Sequence, residues 1–168
     1  MNYLPDGPTH PTQAQLDHFW TEAKAALPGA GVGDEYQVRW IGLDDESTEQ
    51  IFSLIASGDK NGTFTLPWII ERTDQPQPAV GDCIILIAFD GTPRQLVRLT
   101  DVQRVNFGDI TAAHTAIDGS PVRALEVWKP LHTQYWNGML APWSMTVAED
   151  MPVLIEPFEL LYPRPSDA

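Results

Sequence analysis

Positive charge is what this chain has least of. Ten lysines and arginines stand against 23 aspartates and glutamates, a formal charge of −13 over 168 residues. Gripping duplex phosphates takes many Lys and Arg contacts, so no duplex DNA partner is expected, and no anionic membrane surface. Cysteine is nearly absent too. Cys83 stands alone in an apolar run, which excludes an internal disulfide and reads as a buried core residue in a reducing compartment. No apolar stretch approaches the roughly 20 residues of a membrane helix. The opening Met1-Asn2-Tyr3-Leu4-Pro5-Asp6-Gly7 lacks the basic segment and apolar core of a secretory leader, so a cytoplasmic location is expected. Walker loops, dinucleotide fingerprints, Gly-x-Ser-x-Gly and His-Glu-x-x-His are all missing. The histidines His10, His18, His114 and His132 are dispersed. His114 and Asp118 share a four-residue spacing, but no second histidine or cysteine pair joins them, so no metal and no cofactor are expected.

What remains is a globular composition. Hydrophobic residues make up 43%, with six tryptophans, and the length suits one domain with a substantial core. Residues 1–11 read as a flexible tail, 12–163 as the domain and 164–168 as a second tail. Thr12 caps a helix with Leu16, Phe19, Trp20, Ala23 and Leu27 at helical spacing. Tyr36–Ile41 reads as a strand. Asp44 or Asp45 opens a second helix, whose acidic start suits the positive helix end, and Gly58 stops it. Phe64, Leu66 and Trp68 alternate as a strand broken by Pro67. Cys83–Phe89 and Gln95–Val105 pair as strands around the hairpin signal Asp90-Gly91. Asp109 caps a short helix, Ser120-Pro121 opens a longer one carrying Trp128, His132 and Trp136, and Pro152–Tyr162 is the last strand. The mixture predicts an α+β fold, a small mostly antiparallel barrel or curled sheet flanked by helices.

Lysine occurs only as Lys24, Lys60 and Lys129. Lys60 falls in Gly58-Asp59-Lys60-Asn61-Gly62-Thr63, where a helix hands over to a strand and glycines permit close backbone approach. A rare cation three residues from a hydroxyl marks a candidate site. From spacing alone, the simpler account is that Lys60 pairs with a surface acid and Thr63 merely starts a strand. Trp40, Trp68, Trp128, Tyr135 and Trp136 are available to stack a base. Core packing claims Trp128 and Trp40 first, leaving Trp68 and Trp136 as the ligand candidates.

The order of motifs resembles the ASCH domain, a branch of the PUA-like β-barrel superfamily. The resemblance rests on Gly58-x-Lys60-x-x-Thr63, Val80-Gly81-Asp82, Asp90-Gly91-Thr92-Pro93, Val105–Ile110, Asp118-Gly119, Trp128 with His132, and Glu149–Val153 with Glu156-Pro157-Phe158, spanning about residues 15–163. It implies a PUA-like barrel with a cleft for a nucleoside or single-stranded or structured RNA. Some compact members of the family hydrolyse the amide of acetylated cytidine with the cassette lysine and threonine and a downstream acid. Those roles fall here on Lys60, Thr63 and Asp118. Thr63 Oγ would attack the carbonyl, Lys60 would take its proton, and backbone N–H groups at Asn61 and Gly62 would hold the oxyanion. Two positions depart from the pattern: Asp118 replaces a glutamate, and Thr65 stands where an arginine is common. The leading expectation is a domain binding a nucleoside or short RNA, with hydrolysis of an acylated pyrimidine nucleoside left open as a further activity. The alternatives are a non-catalytic module for RNA or modified bases and a metal-independent ribonuclease. The oligomeric state is not legible in the sequence.

Overall fold

The computed structural model describes residues 4–163; residues 1–3 and 164–168, parts of the two expected tails, lie outside the described residues. Helix α1 (Gln13–Ala26) starts at Thr12, whose hydroxyl accepts from the Gln15 N–H while the Gln15 side chain accepts from the Thr12 N–H. Strand β1 (Gln37–Arg39) follows, then helix α2 (Asp45–Ser57), capped by Asp44. Gly58 ends α2 with φ +80°, a left-handed turn that favours glycine. Strand β2 (Gly62–Thr65), helix α3 (Pro67–Arg72), strands β3 (Cys83–Ile87), β4 (Pro93–Leu99) and β5 (Gln103–Asn106), helices α4 (Ala112–Thr115) and α5 (Leu125–Leu140), and strand β6 (Pro152–Tyr162) complete the chain. Among the described residues, no helix is long and apolar enough to cross a membrane.

The strands form one curled sheet in the order β1-β3-β4-β6-β2, with β5 beside β6. Only β1–β3 is parallel; the other pairings are antiparallel. The α+β class and the curled, mostly antiparallel sheet agree with expectation. Strand β3 is buried along its whole length, and its period of two divides it between two cores. Cys83, Ile85 and Ile87 pack with Leu16, Phe19 and Ala23 of α1. Ile84 and Leu86 pack with Phe52 and Ile55 of α2. A third core lies under α5, where Trp128, Trp136 and Leu140 meet Phe64, Phe107, Met151, Val153 and Ile155. Strand β6, eleven residues long, contributes to all three.

Four local readings are corrected. The strand through Trp68 ends at Thr65, and Pro67 occupies the first turn of α3, where a residue without an N–H costs no hydrogen bond. The single strand expected over 95–105 divides into β4 and β5, because β4 pairs with the C-terminal part of β6 and β5 with its N-terminal part. Asp109 closes a short 3₁₀ turn, and Thr111 caps α4. Ser120-Pro121 lies in a turn before α5 rather than at its start. Its Ser120 N–H donates to Asp59 Oδ2 at 2.8 Å, and the same carboxylate takes the Arg123 guanidinium. Of the expected N-terminal tail, residues 4–11 run along the body: Leu4 packs at the α1 core and the Thr9 N–H donates to the Phe89 carbonyl.

Candidate functional site

The cassette after α2 sends Lys60 inward. Its ammonium meets Asp118 Oδ1 at 2.7 Å, with the side chains only 6% and 10% exposed. Asp118 reaches this position from the turn after α4, and the same oxygen accepts the Gly119 N–H at 2.8 Å. The backbone fixes both partners. The Lys60 N–H donates to the Leu54 carbonyl, and the Asn61 N–H donates to the Ile117 carbonyl. This is a buried ion pair, not the surface pair that spacing alone suggests.

A second ion pair stands nearby. Glu156, in the middle of β6, is fully buried and faces Thr63 across the β2–β6 ladder. One of its carboxylate oxygens accepts the Arg39 guanidinium at 2.9 Å, and the other accepts the Thr65 hydroxyl in a short hydrogen bond. Arg39 comes from β1, so the sheet has curled far enough for opposite ends of its strand order to meet through side chains. Position 65 therefore lacks a guanidinium, but Arg39 brings one to the Thr65 carboxylate partner from another strand.

Between these pairs lies a cavity of about 410 Å³, within the roughly 300–1,000 Å³ range of small-molecule sites. Arg39, Lys60, Thr63 and Asp118 line it, together with His132 and Trp136 of α5. Thr63 Oγ makes no hydrogen bond among the described residues, so its hydroxyl is uncommitted. Two lining residues, Leu43 and Leu131, are 60% and 40% exposed, an apolar rim at the cavity.

Trp128, His132 and Trp136 recur every four residues along one face of α5. The His132 ring stacks on Trp128 at 4.0 Å between centroids and meets Trp136 and Phe64 edge-on. Burial in this aromatic setting pushes the His132 pKa down to about 4. The hydrogen bond to the Trp128 carbonyl and the Asp118 carboxylate oppose that fall, and Lys60 adds to it.

Of the residues singled out in the sequence, Lys60, Thr63, Asp118 and Trp136 meet at one cavity. Asn61, Gly62 and Trp68 are not part of its lining. Asn61 is exposed and its N–H is already bonded to Ile117, which removes it as an oxyanion donor. Gly62 is a glycine because a Cβ there would collide with the Ile117 side chain, so the close approach it serves is internal packing. Trp68 turns away with α3 and packs against the core under α5. Trp128 is wholly buried, as expected; Trp40 packs against the α1 core, as expected, and also lines the cavity, donating its indole N–H to Thr48 Oγ at 2.9 Å. His114 caps α4, and among the described residues no cluster of ligating side chains could hold a metal. Sequence reasoning missed Arg39, Glu156 and His132 as site residues. Glu156 alone had a local signal, an acid directly after the apolar run Val153-Leu154-Ile155 of β6.

A family model for the ASCH domain matches residues 38–162. No curated protein matches the chain. Solved structures share its fold, two of them over nearly the whole chain. An ASCH domain from Lactobacillus crispatus JV V101 is 18% identical with a TM-score of 0.79, over 90% of this chain and 96% of that one. Protein EF3133 from Enterococcus faecalis V583 is 20% identical with a TM-score of 0.76, over 94% of this chain and 95% of that one. The curled sheet with its flanking helices is thus shared with an ASCH domain of known structure.

Proposed function

The chain belongs to the ASCH domain family, and we propose that its cavity binds a nucleoside or the unpaired end of a short RNA. One observation carries this reading: the Lys60–Asp118 ion pair, the free Thr63 hydroxyl and the His132 and Trp136 rings of α5 all line one cavity of about 410 Å³. A planar base suits an aromatic wall, and the Lys60 ammonium keeps donors beyond the one given to Asp118. The net charge of −13 repels a long polyanion, which favours a single nucleoside over an extended RNA.

Hydrolysis of an acylated pyrimidine nucleoside is the second reading, favoured by the uncommitted Thr63 hydroxyl at the same cavity. Thr63 Oγ would attack the amide carbonyl and needs a base for its proton. An ammonium held against a carboxylate is not that base. Lys60 would serve only after passing a proton to Asp118 across their 2.7 Å contact, and would then take the proton from Thr63. The carboxylate beside Lys60 counts against a ribonuclease, since it opposes an incoming phosphate.

The test is titration of the protein with N4-acetylcytidine at two salt concentrations, with chromatography of the mixture for cytidine. Saturable binding that barely responds to salt is expected. Release of cytidine by the wild type and not by Thr63→Ala would add turnover. Absence of binding by a folded protein to this nucleoside and to a short single-stranded RNA would overturn the reading.

A further inference from the structure

We propose that His132 is a specificity-determining hydrogen-bond acceptor of this cavity, with its ring held so that Nε2 receives an N–H from the ligand. The proposal rests on the cavity being the nucleoside site and adds what the ligand must present there.

The tautomer follows from one contact. His132 Nδ1 lies 2.9 Å from the Trp128 carbonyl oxygen. A carbonyl only accepts, so the proton sits on Nδ1 and Nε2 carries the lone pair. The ring cannot readily turn to reverse this. Trp128 stacks on one face at an interplanar angle of 21°, while Trp136 at 4.9 Å and Phe64 at 5.8 Å close in with their edges. Nε2 has no hydrogen-bond partner among the described residues, and His132 lines the same cavity as Lys60 and Asp118. Burial keeps the imidazole neutral at physiological pH, so Nε2 accepts and does not donate.

The cavity therefore offers a fixed donor in the Lys60 ammonium and a fixed acceptor in His132 Nε2. A ligand satisfies both with a carbonyl or ring nitrogen toward Lys60 and an N–H toward His132. The amide-like edge of a nucleobase carries both kinds of group. A phosphodiester offers acceptors only and would leave Nε2 unpaired. Acylated cytidine supplies a single N–H beside its acyl carbonyl, and methylation of that nitrogen removes the donor while keeping the carbonyl.

The experiment compares N4-acetylcytidine with its N4-methylated analogue by calorimetry at neutral pH, on wild type and on His132→Phe, which keeps a stacking ring. Wild type should prefer the N–H ligand by about tenfold to a hundredfold, the usual effect of one unpaired polar group. His132→Phe should lose that preference. In wild type with ring nitrogens labelled for NMR, the N–H ligand should shift the Nε2 resonance and leave Nδ1 near its free position. A preference that survives in His132→Phe reflects methyl bulk, and equal weakening of both ligands reflects packing; either overturns the proposal. An Nε2 resonance that ignores the ligand overturns it as well. Equal binding of both nucleosides by wild type removes His132 alone and leaves the cavity as a nucleoside site. Binding of neither removes both readings.

Discussion

The packing under α1 and the packing under α5 lie on one sheet and treat polar groups in opposite ways. Under α1 the side chains are mainly aliphatic, with Leu16, Ala23, Val38, Ile85, Ile87 and Leu96 around Phe19, and charge stays at the surface in Lys24–Asp34 and Arg98–Glu159. Under α5 the packing is aromatic, and beside it the chain encloses the Lys60–Asp118 pair, a neutral imidazole and a cavity whose lining also includes Arg39 of a second buried pair. Aliphatic chains fill space without offering a polar edge. Rings stack on an imidazole, and the backbone around them supplies hydrogen bonds, so polar groups can be enclosed at bearable cost. The α1 side holds the fold together, and the α5 side spends stability to hold chemistry.

Lys60→Met should break that contrast most strongly. It strands the Asp118 carboxylate, and losing one member of a buried pair costs about 3–5 kcal/mol, read as a fall in the denaturation midpoint. Lys60→Met combined with Asp118→Asn should recover most of the loss, since the amide oxygen still accepts from Gly119. A single variant as stable as wild type would mean that the pair carries no such cost.

Acid should separate the two sides next. The folded protein holds His132 neutral down to about pH 4, whereas the unfolded chain protonates it near 6.5. Between those values the unfolded state binds the extra proton, so stability is full above pH 6.5 and falls as pH drops toward 4. At about 1.4 kcal/mol per tenfold proton excess, the fall is about 3 kcal/mol. The carboxylates of Asp44, Asp59 and Asp90 are held below their ordinary value by hydrogen bonds, so their losses begin at lower pH. Thermal melts of wild type and His132→Phe across this window should show a slope in the first and a nearly flat line in the second. Parallel slopes would place the proton elsewhere. The smallest effect belongs to the α1 side. Glu159→Gln, which cuts a half-exposed pair with Arg98, should cost at most about 1 kcal/mol and leave ligand binding unchanged.

Local signals carried much of the fold into the sequence. Thr12 with Gln15, Asp44 with Ser47, and Gly58 mark helix ends because a cap is decided by residues three or four apart. Pro67 misled because a proline without an N–H suits a broken strand and a helix start equally well; the turn away from β6 decides it. At the site, Lys60 and Thr63 were legible as a cassette, and Asp118 only through family resemblance, since 58 residues separate it from Lys60. Arg39 and Glu156 lie 117 residues apart and meet only after the sheet has curled. The role of His132 depends on which way its ring is turned, which no spacing records.

The contact between Arg39 and Glu156 also acts as a clasp. Main-chain hydrogen bonds fasten each strand to its neighbours, but across this gap β1 is held to β6 by side chains. Main-chain ladders part together, whereas a clasp opens alone. The Arg39–Glu156 contact can therefore break without unzipping a strand.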